Sequence, residues 1–247
     1  MEIGTYPSIF NDVVGPVMRG PSSSHCAASV RIGKLARDLM GGDIQEVLVE
    51  FDPAGSLATT HQSHGSDMGL FGGLLGWEAD DERLIEYANA IKEAGIKVNI
   101  EINELEVKHE NTYKLSLKNN KESHELVAIS TGGGMVEIVE INGIEVSMIG
   151  DYFETLVFCN EENGGEIRDY LNEKFNADEL NIRKRDNDTI IEVKAQTFIE
   201  PDILQDLRKH FTITTIKELN PVLPILSRKR TEIPFRTCEE MLAYNEN

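Results

Sequence analysis

Residues 15–25 read Gly-Pro-Val-Met-Arg-Gly-Pro-Ser-Ser-Ser-His, and no regular element can run through them. Each Gly-Pro step fixes the proline φ and pushes the preceding residue away from helical backbone. The stretch is a Gly/Pro-punctuated loop. It delivers Ser22, Ser23, Ser24 and His25 to the start of a helix expected over residues 26–39. The first N–H groups of a helix have no intrahelical partner, and the aligned peptide dipoles favour an anion there. Serine hydroxyls add donors, and an imidazole can hold or move a proton near neutral pH. A small carboxylate-bearing ligand suits such a loop. The plainer alternative is that one serine only caps the helix.

Further along, residues 44–51 alternate as a strand through Val47, Val49 and Phe51, and Asp52-Pro53-Ala54-Gly55 breaks it. A helix is expected over 66–75, with Ser66 or Asp67 able to cap it. Its glycines cost about 1 kcal/mol each in helix propensity, a cost tolerated where another backbone approaches closely. An amphipathic helix over 80–94 carries Leu84, Tyr87, Ala88 and Ile91 and stops at Gly95. Strands are expected over 98–105, 113–117 and 126–131, followed by a turn at 132–134. Residues 135–141 and 144–148 form a hairpin around Asn142-Gly143.

A boundary falls near Gly150-Asp151. Beyond it the order is βαββαβ, over 156–159, 167–175, 179–183, 189–193, 201–210 and 213–219, which is ferredoxin-like. The expected fold class is α+β, a mixed-sheet N-terminal domain (1–150) followed by a ferredoxin-like, ACT-like domain (151–222). Residues 223–247 form a linker and a last short segment. The tail passes Pro221, Pro224 and Arg228-Lys229-Arg230 and ends in a helix start over 237–242.

The charge balance narrows the partners. With 43 acidic against 24 basic residues the net charge is −19, a field that repels phosphate backbones, so no nucleic-acid partner is expected. Arg183-Lys184-Arg185 and Arg228-Lys229-Arg230 are the dense basic spots and read as solvated loop charge. No apolar run approaches the ~20 residues that span a bilayer, and Glu2 with no basic flank argues against a signal peptide. A cytoplasmic home without membrane contact is expected.

Cys26, Cys159 and Cys238 are far apart, odd in number and without C-x-x-C spacing. That argues against a disulfide framework and a local zinc site. Three thiolates could in principle serve an iron–sulfur cluster, but these fall in three different units. The chain by itself is expected to hold no metal. The pair His61-x-x-His64 lacks a third ligand and reads as coincidence. Ser24 and His25 are adjacent and seldom face each other, so a nucleophile–base pair is not expected there. His109, His124 and His210 read as surface groups, His64 could be only a turn residue, and Asp67 only a helix cap.

Three of these segments carry a resemblance. Gly-Pro-Ser-Ser-Ser-His at 20–25, followed by Arg31-Ile32-Gly33, resembles the opening of the β subunit of bacterial iron–sulfur-dependent L-serine dehydratases. Ser63-His64-Gly65-Ser66-Asp67 with Gly72-Gly73-Leu74-Leu75-Gly76 is similar to that family's His-Gly-Thr-Asp element and its glycine-rich helix. Ser130-Thr131-Gly132-Gly133-Gly134, then Glu137 to Gly143, matches a third element. They stand in family order, and the resemblance covers residues 8–150 well and 151–222 more loosely. Two departures are Cys26 and Ser66, where the family usually has threonine. Residues 151–222 resemble an amino-acid-binding ACT domain. Glu161-Glu162-Asn163-Gly164-Gly165 stands where ligand-binding members have an Asp-x-Pro-Gly-like turn, which favours a structural or dimerising role. The last stretch looks like the start of the catalytic α domain, or a docking tail for a separate α chain.

The resemblance implies a dehydratase that converts L-serine to pyruvate and ammonia. Its [4Fe–4S] cluster is held by the α partner and acts as Lewis acid on the β-hydroxyl. This chain would then be inactive alone, act with an α chain or domain on a small amino-acid substrate, and form a homo-oligomer. Ser22, Ser23 and Ser24 would hold the carboxylate. His25 and His64 would contact substrate and handle protons, and Asp67 would orient His64 or pair with the ammonium. No lysine has a recognisable PLP setting, so no PLP is expected. The rival reading is a non-catalytic amino-acid-binding regulatory module.

Overall fold

A π-helical turn (Ser23–Ala27) runs straight into helix α1 (Ala28–Leu39), so the helix begins three residues earlier than its apolar pattern suggests. The structure, a computed structural model, describes residues 15–223 and 237–245. Residues 8–14 of the resemblance, Glu2, Pro224 and Arg228-Lys229-Arg230 lie outside the described residues. Ile32, Leu35, Ala36 and Leu39 form the buried stripe of α1. The isoleucine and each leucine contribute on the order of 1.5–3 kcal/mol of transfer free energy.

Strand β1 (Glu46–Phe51) follows, then the short α2 (Leu57–Thr60) and α3 (Ser66–Leu74). The single helix expected over 80–94 is split into a 3-10 turn (Glu82–Glu86) and α4 (Tyr87–Glu93). The Asp81 carboxylate accepts the Arg83 N–H to open the first piece, and Glu86, at φ −100° and ψ 13°, leaves helical geometry between them.

Strands β2 (Lys97–Ile102), β3 (Thr112–Lys118), β4 (Ser123–Gly132), β5 (Met135–Ile141) and β6 (Ile144–Met148) complete a six-stranded sheet in the order β2-β1-β3-β4-β5-β6. β1 and β2 are parallel and the other pairs antiparallel, so the sheet is mixed, as expected. The β5–β6 hairpin has the expected bounds. Its two turn residues, Asn142 (φ 52°) and Gly143 (φ 78°), both take the left-handed backbone that a two-residue hairpin favours.

A second, antiparallel sheet is built from β7 (Phe153–Asn160), β8 (Glu179–Arg185), β9 (Asp188–Ala195) and β10 (Ile213–Leu219), in the order β10-β7-β9-β8. Helices α5 (Glu161–Lys174) and α6 (Pro201–His210) separate these strands in sequence. Side-chain alternation divides the sheet between two cores. Leu156, Phe158, Ile190 and Leu219 join the core of the first sheet. Val157, Cys159, Ile191 and Val193 face Ile167, Leu171 and Leu207 of the helices. A last helix, α7 (Cys238–Asn245), follows. No helix among the described residues is long and apolar enough to cross a membrane.

Several local expectations need correction. Glu161 to Gly165 is the first turn of α5, not a loop. Glu161 and Glu162 sit at the positive end of the helix dipole, and Gly164 lets the helix lie close to β9, since a Cβ there would stand 3.0 Å from Thr189 Cγ2. Arg183-Lys184-Arg185 belongs to strand β8, where Arg183 pairs with Glu192 and Lys184 with Glu161. His124 is buried rather than superficial. The Asn142 side-chain amide donates to its Nδ1 at 3.0 Å, and Glu122 lies 3.3 Å from its Nε2.

Polar ties cross between the sheets. Lys217 donates to both Glu122 oxygens, at 2.6 and 2.7 Å, and Lys194 reaches the Ser147 carbonyl. Beside Lys194 lie Glu192 and the buried Glu154.

Candidate active site

The loop after Gly20 places Ser22 at the N-cap position with extended backbone, yet its hydroxyl makes no capping bond. It turns sideways instead. Ser22 Oγ lies 3.0 Å from His25 Nδ1 and 3.2 Å from Ser24 Oγ, and Ser24 Oγ lies 3.3 Å from the same nitrogen. Ser23 takes no part in this network among the described residues. The plain capping alternative therefore does not describe these serines. The first N–H groups of the helix are left without intrahelical partners, as at any helix start.

On its other side His25 meets Thr60, with Nε2 3.2 Å from Oγ1. The Thr60 hydroxyl already donates to the Ser56 carbonyl at 2.6 Å, so it accepts from His25. This assigns the proton of the neutral ring to Nε2 and leaves Nδ1 as acceptor for the serine hydroxyls. Burial, and then the neighbouring His64, hold His25 below the ordinary histidine range. His64 is exposed and meets His25 edge to face, with ring centroids 4.8 Å apart.

Gly65 makes this approach possible. It takes φ 88° at the N-cap of α3, a backbone that side chains resist, and turns the chain from His64 into the helix. Neither Ser66 nor Asp67 caps α3 with its side chain. Ser66 accepts the Tyr113 hydroxyl at 3.1 Å, and burial pushes the Tyr113 phenol up to about 12. Asp67 faces His61 rather than His64, with Oδ1 2.6 Å from Nδ1. Burial raises the Asp67 carboxyl above the usual range, against the opposing pull of His61.

The third sequence element closes the site from the sheet. Ser130, on β4, donates to the Ser24 carbonyl at 2.8 Å, and Arg31 reaches the Gly134 carbonyl from α1. Behind the loop the Cys26 thiol donates to the Arg19 carbonyl at 2.8 Å and is fully buried, which pushes its pKa up to about 11. The cysteine at position 26 thus keeps a donor, directed at the loop's own backbone.

Helices α1 and α3 carry the two halves of this arrangement and meet backbone to backbone. A Cβ on Gly73 would stand 2.2 Å from the Val30 carbonyl oxygen, and one on Gly69 would stand 2.2 Å from that of Cys26. The glycine run serves the close approach expected of it.

Sequence reasoning brought Ser22, Ser24, His25 and His64 forward, and they stand together. It passed over Thr60 and His61. Thr60 carries no signal of its own, whereas His61 was visible only as half of a metal-like pair. Among the described residues no group of three or more His, Cys, Asp and Glu could hold a metal ion. The cysteines lie on different elements, Cys26 and Cys159 buried and Cys238 exposed on α7, so this donor set does not fit an iron–sulfur cluster. A cavity of about 620 Å³ lies elsewhere, lined by Lys174, Asp178, Gln196 and Glu200. It holds none of the residues of the three sequence elements.

Residues 13–126 match the family model described as serine dehydratase beta chain. The chain is 34% identical over 209 residues to the "Probable L-serine dehydratase, beta chain" of Bacillus subtilis (strain 168), covering 83% of this chain and 94% of that one. It is 35% identical over 174 residues to the "L-serine dehydratase, beta chain" of Peptoniphilus asaccharolyticus, covering 69% of this chain and 76% of that one.

Proposed function

The chain belongs to the serine dehydratase β-chain family, and from that premise we propose that it is the β-type subunit of an L-serine dehydratase, supplying the carboxylate cradle and the proton-handling histidines. The observation that carries this is the convergence of Ser22, Ser24, Thr60 and His64 on the His25 ring at the start of a long helix.

The geometry suggests how binding and chemistry are linked. A hydroxyl has one hydrogen, and with Nδ1 as acceptor the hydrogen of Ser22 or Ser24 is directed at it. A substrate carboxylate seated at the helix start takes that hydrogen for itself, together with the unpaired N–H groups. The Nδ1 lone pair is then free. His25, kept neutral and fixed in its tautomer by Thr60, is ready to accept the Cα proton. His64, exposed and in edge contact with that ring, is the neighbouring proton-handling group on its solvent side. With Asp67 committed to His61, the substrate ammonium finds its counter-charge elsewhere.

The cysteines of this chain do not fit a [4Fe–4S] cluster, so on this reading the cluster belongs to the α partner. The proposed units are residues 1–150 for substrate, 151–222 as an ACT-like domain with a structural or dimerising role, and 223–247 as linker with either the start of an α domain or a docking tail. The βαββαβ order and the helix replacing the ligand-type turn support the middle assignment.

The test is anaerobic co-purification with the α chain, measuring pyruvate formed from L-serine. Activity should require this chain and fall by about 10²- to 10⁴-fold in His25→Ala or His64→Ala, the range for losing a general acid–base group. Full activity of the α chain alone would leave this chain as an amino-acid-binding regulator.

A further inference from the structure

His61 and Asp67 have no part in the chemistry above, yet they make a short, well-buried contact. Asp67 is 5% exposed and lies 2.6 Å from the His61 ring. A carboxylate so buried is costly unless it is paired. The pairing ties the turn after α2 to the first turn of α3. That turn is the segment that matters to His25, because Thr60 precedes His61 and His64 follows it.

The contacts form a closed circuit. The His61 ring lies against Phe51 of β1, centroids 5.6 Å apart, and Phe51 packs edge-on against Tyr113 at 5.2 Å. Tyr113 donates to Ser66, which adjoins Asp67, which returns to His61. The His61 carbonyl also accepts from the Ser66 and Asp67 N–H groups, at 2.8 and 3.2 Å. Sheet, turn and helix are thus locked at a single residue. Thr60, just before it, and His64, three residues after it, are the ones that reach the His25 ring.

We propose that His61 is a positioning residue, clasped by Asp67, that sets where Thr60 and His64 stand against His25. Through Thr60 it fixes the His25 tautomer, and through the turn it fixes the approach of His64. Its effect on turnover rests on the dehydratase reading; its effect on the His25 ring does not.

The experiment is imidazole ¹H–¹⁵N correlation NMR on the full chain, selectively labelled at histidine, with Asp67→Asn and His61→Phe as variants. Asp67→Asn is isosteric, and His61→Phe keeps a ring against Phe51, while thermal melts report on folding. Both folded variants should lose the single Nε2-protonated signature of His25 and shift the His64 signals. Unchanged His25 and His64 signals in either folded variant overturn the proposal. With the α chain, the variants should lose about 10-fold or more in kcat with a smaller change in KM, as displacement of a reacting group does. An unchanged kcat in an active wild-type complex overturns the catalytic part. A complex with no wild-type activity refutes the dehydratase reading while leaving the NMR result to decide the clasp.

Discussion

Thr60 Oγ1 and His25 Nε2 lie 3.2 Å apart, and the threonine hydroxyl is already spent on the Ser56 carbonyl. The imidazole must therefore donate, which turns its other nitrogen toward Ser22 and Ser24. Thr60→Val removes that acceptor at nearly constant volume. His25 should then populate both tautomers, visible in its ¹⁵N shifts. Pyruvate formation with the α chain should drop by about 10-fold or more, the scale of losing an orienting contact.

His64→Gln tests the electrostatics of the same pair. His25 is held below the ordinary histidine range first by burial and second by His64. Removing His64 should raise the His25 pKa but leave it short of the ordinary value, because burial remains. An NMR titration of the variant reads this directly. The acid limb of any His25-dependent rate should move to higher pH with it.

The thiols give a chemical check on the site's rear wall. Cys26 and Cys159 are buried with raised pKa values, the first about 11, while Cys238 is exposed. Only a thiolate reacts quickly. A colorimetric disulfide reagent should therefore modify a single thiol in the native chain and three after denaturation. Cys238→Ser should abolish the fast phase.

Glu154 predicts a pH-dependent stability. Burial holds its carboxyl well above the usual range, reinforced by Glu192 and Asp151 and only partly opposed by Lys194. The folded state thus binds this proton more tightly than the unfolded chain does. Stability on this account is full below the unfolded-state value and declines as pH rises through the folded one. Glu154→Gln should flatten the fall of urea-unfolding stability as pH rises above the ordinary carboxylate range and raise stability at the upper end.

Two glycine-to-alanine changes should move stability in opposite directions. At Gly73 the new methyl meets the Val30 carbonyl, and overpacking of about 1–3 kcal/mol outweighs the gain in helix propensity. At Gly165 on α5 nothing lies within 4 Å, so alanine should stabilise by about 0.5–1 kcal/mol. Thermal or urea melts distinguish the two.

Much of the fold could be read from local pattern, and the failures have local causes. The Asn142-Gly143 hairpin and α6 were legible because turn chemistry and apolar period coincide there. The start of α5 was hidden because Gly164 and Gly165 look like a turn, although Gly164 is needed for contact with β9. His124 looked superficial because its partners, Asn142 and Glu122, become neighbours only once the sheet has formed. At the site, the serines and His25 share one loop and announced themselves. The His61–Asp67 contact spans six residues around a left-handed glycine, and no helical or strand spacing places those two side chains together.

The seam between α1 and α3 reaches further than stability. Side chains in a core exchange rotamers and are replaced over generations, whereas peptide planes do neither. Here the spacing between the helix that presents His25 and the helix that follows His64 is set where main chain touches main chain, at Gly33, Gly69 and Gly73. The two histidine rings hang from a gauge block whose thickness is a van der Waals radius, indifferent to how the surrounding hydrophobic residues drift.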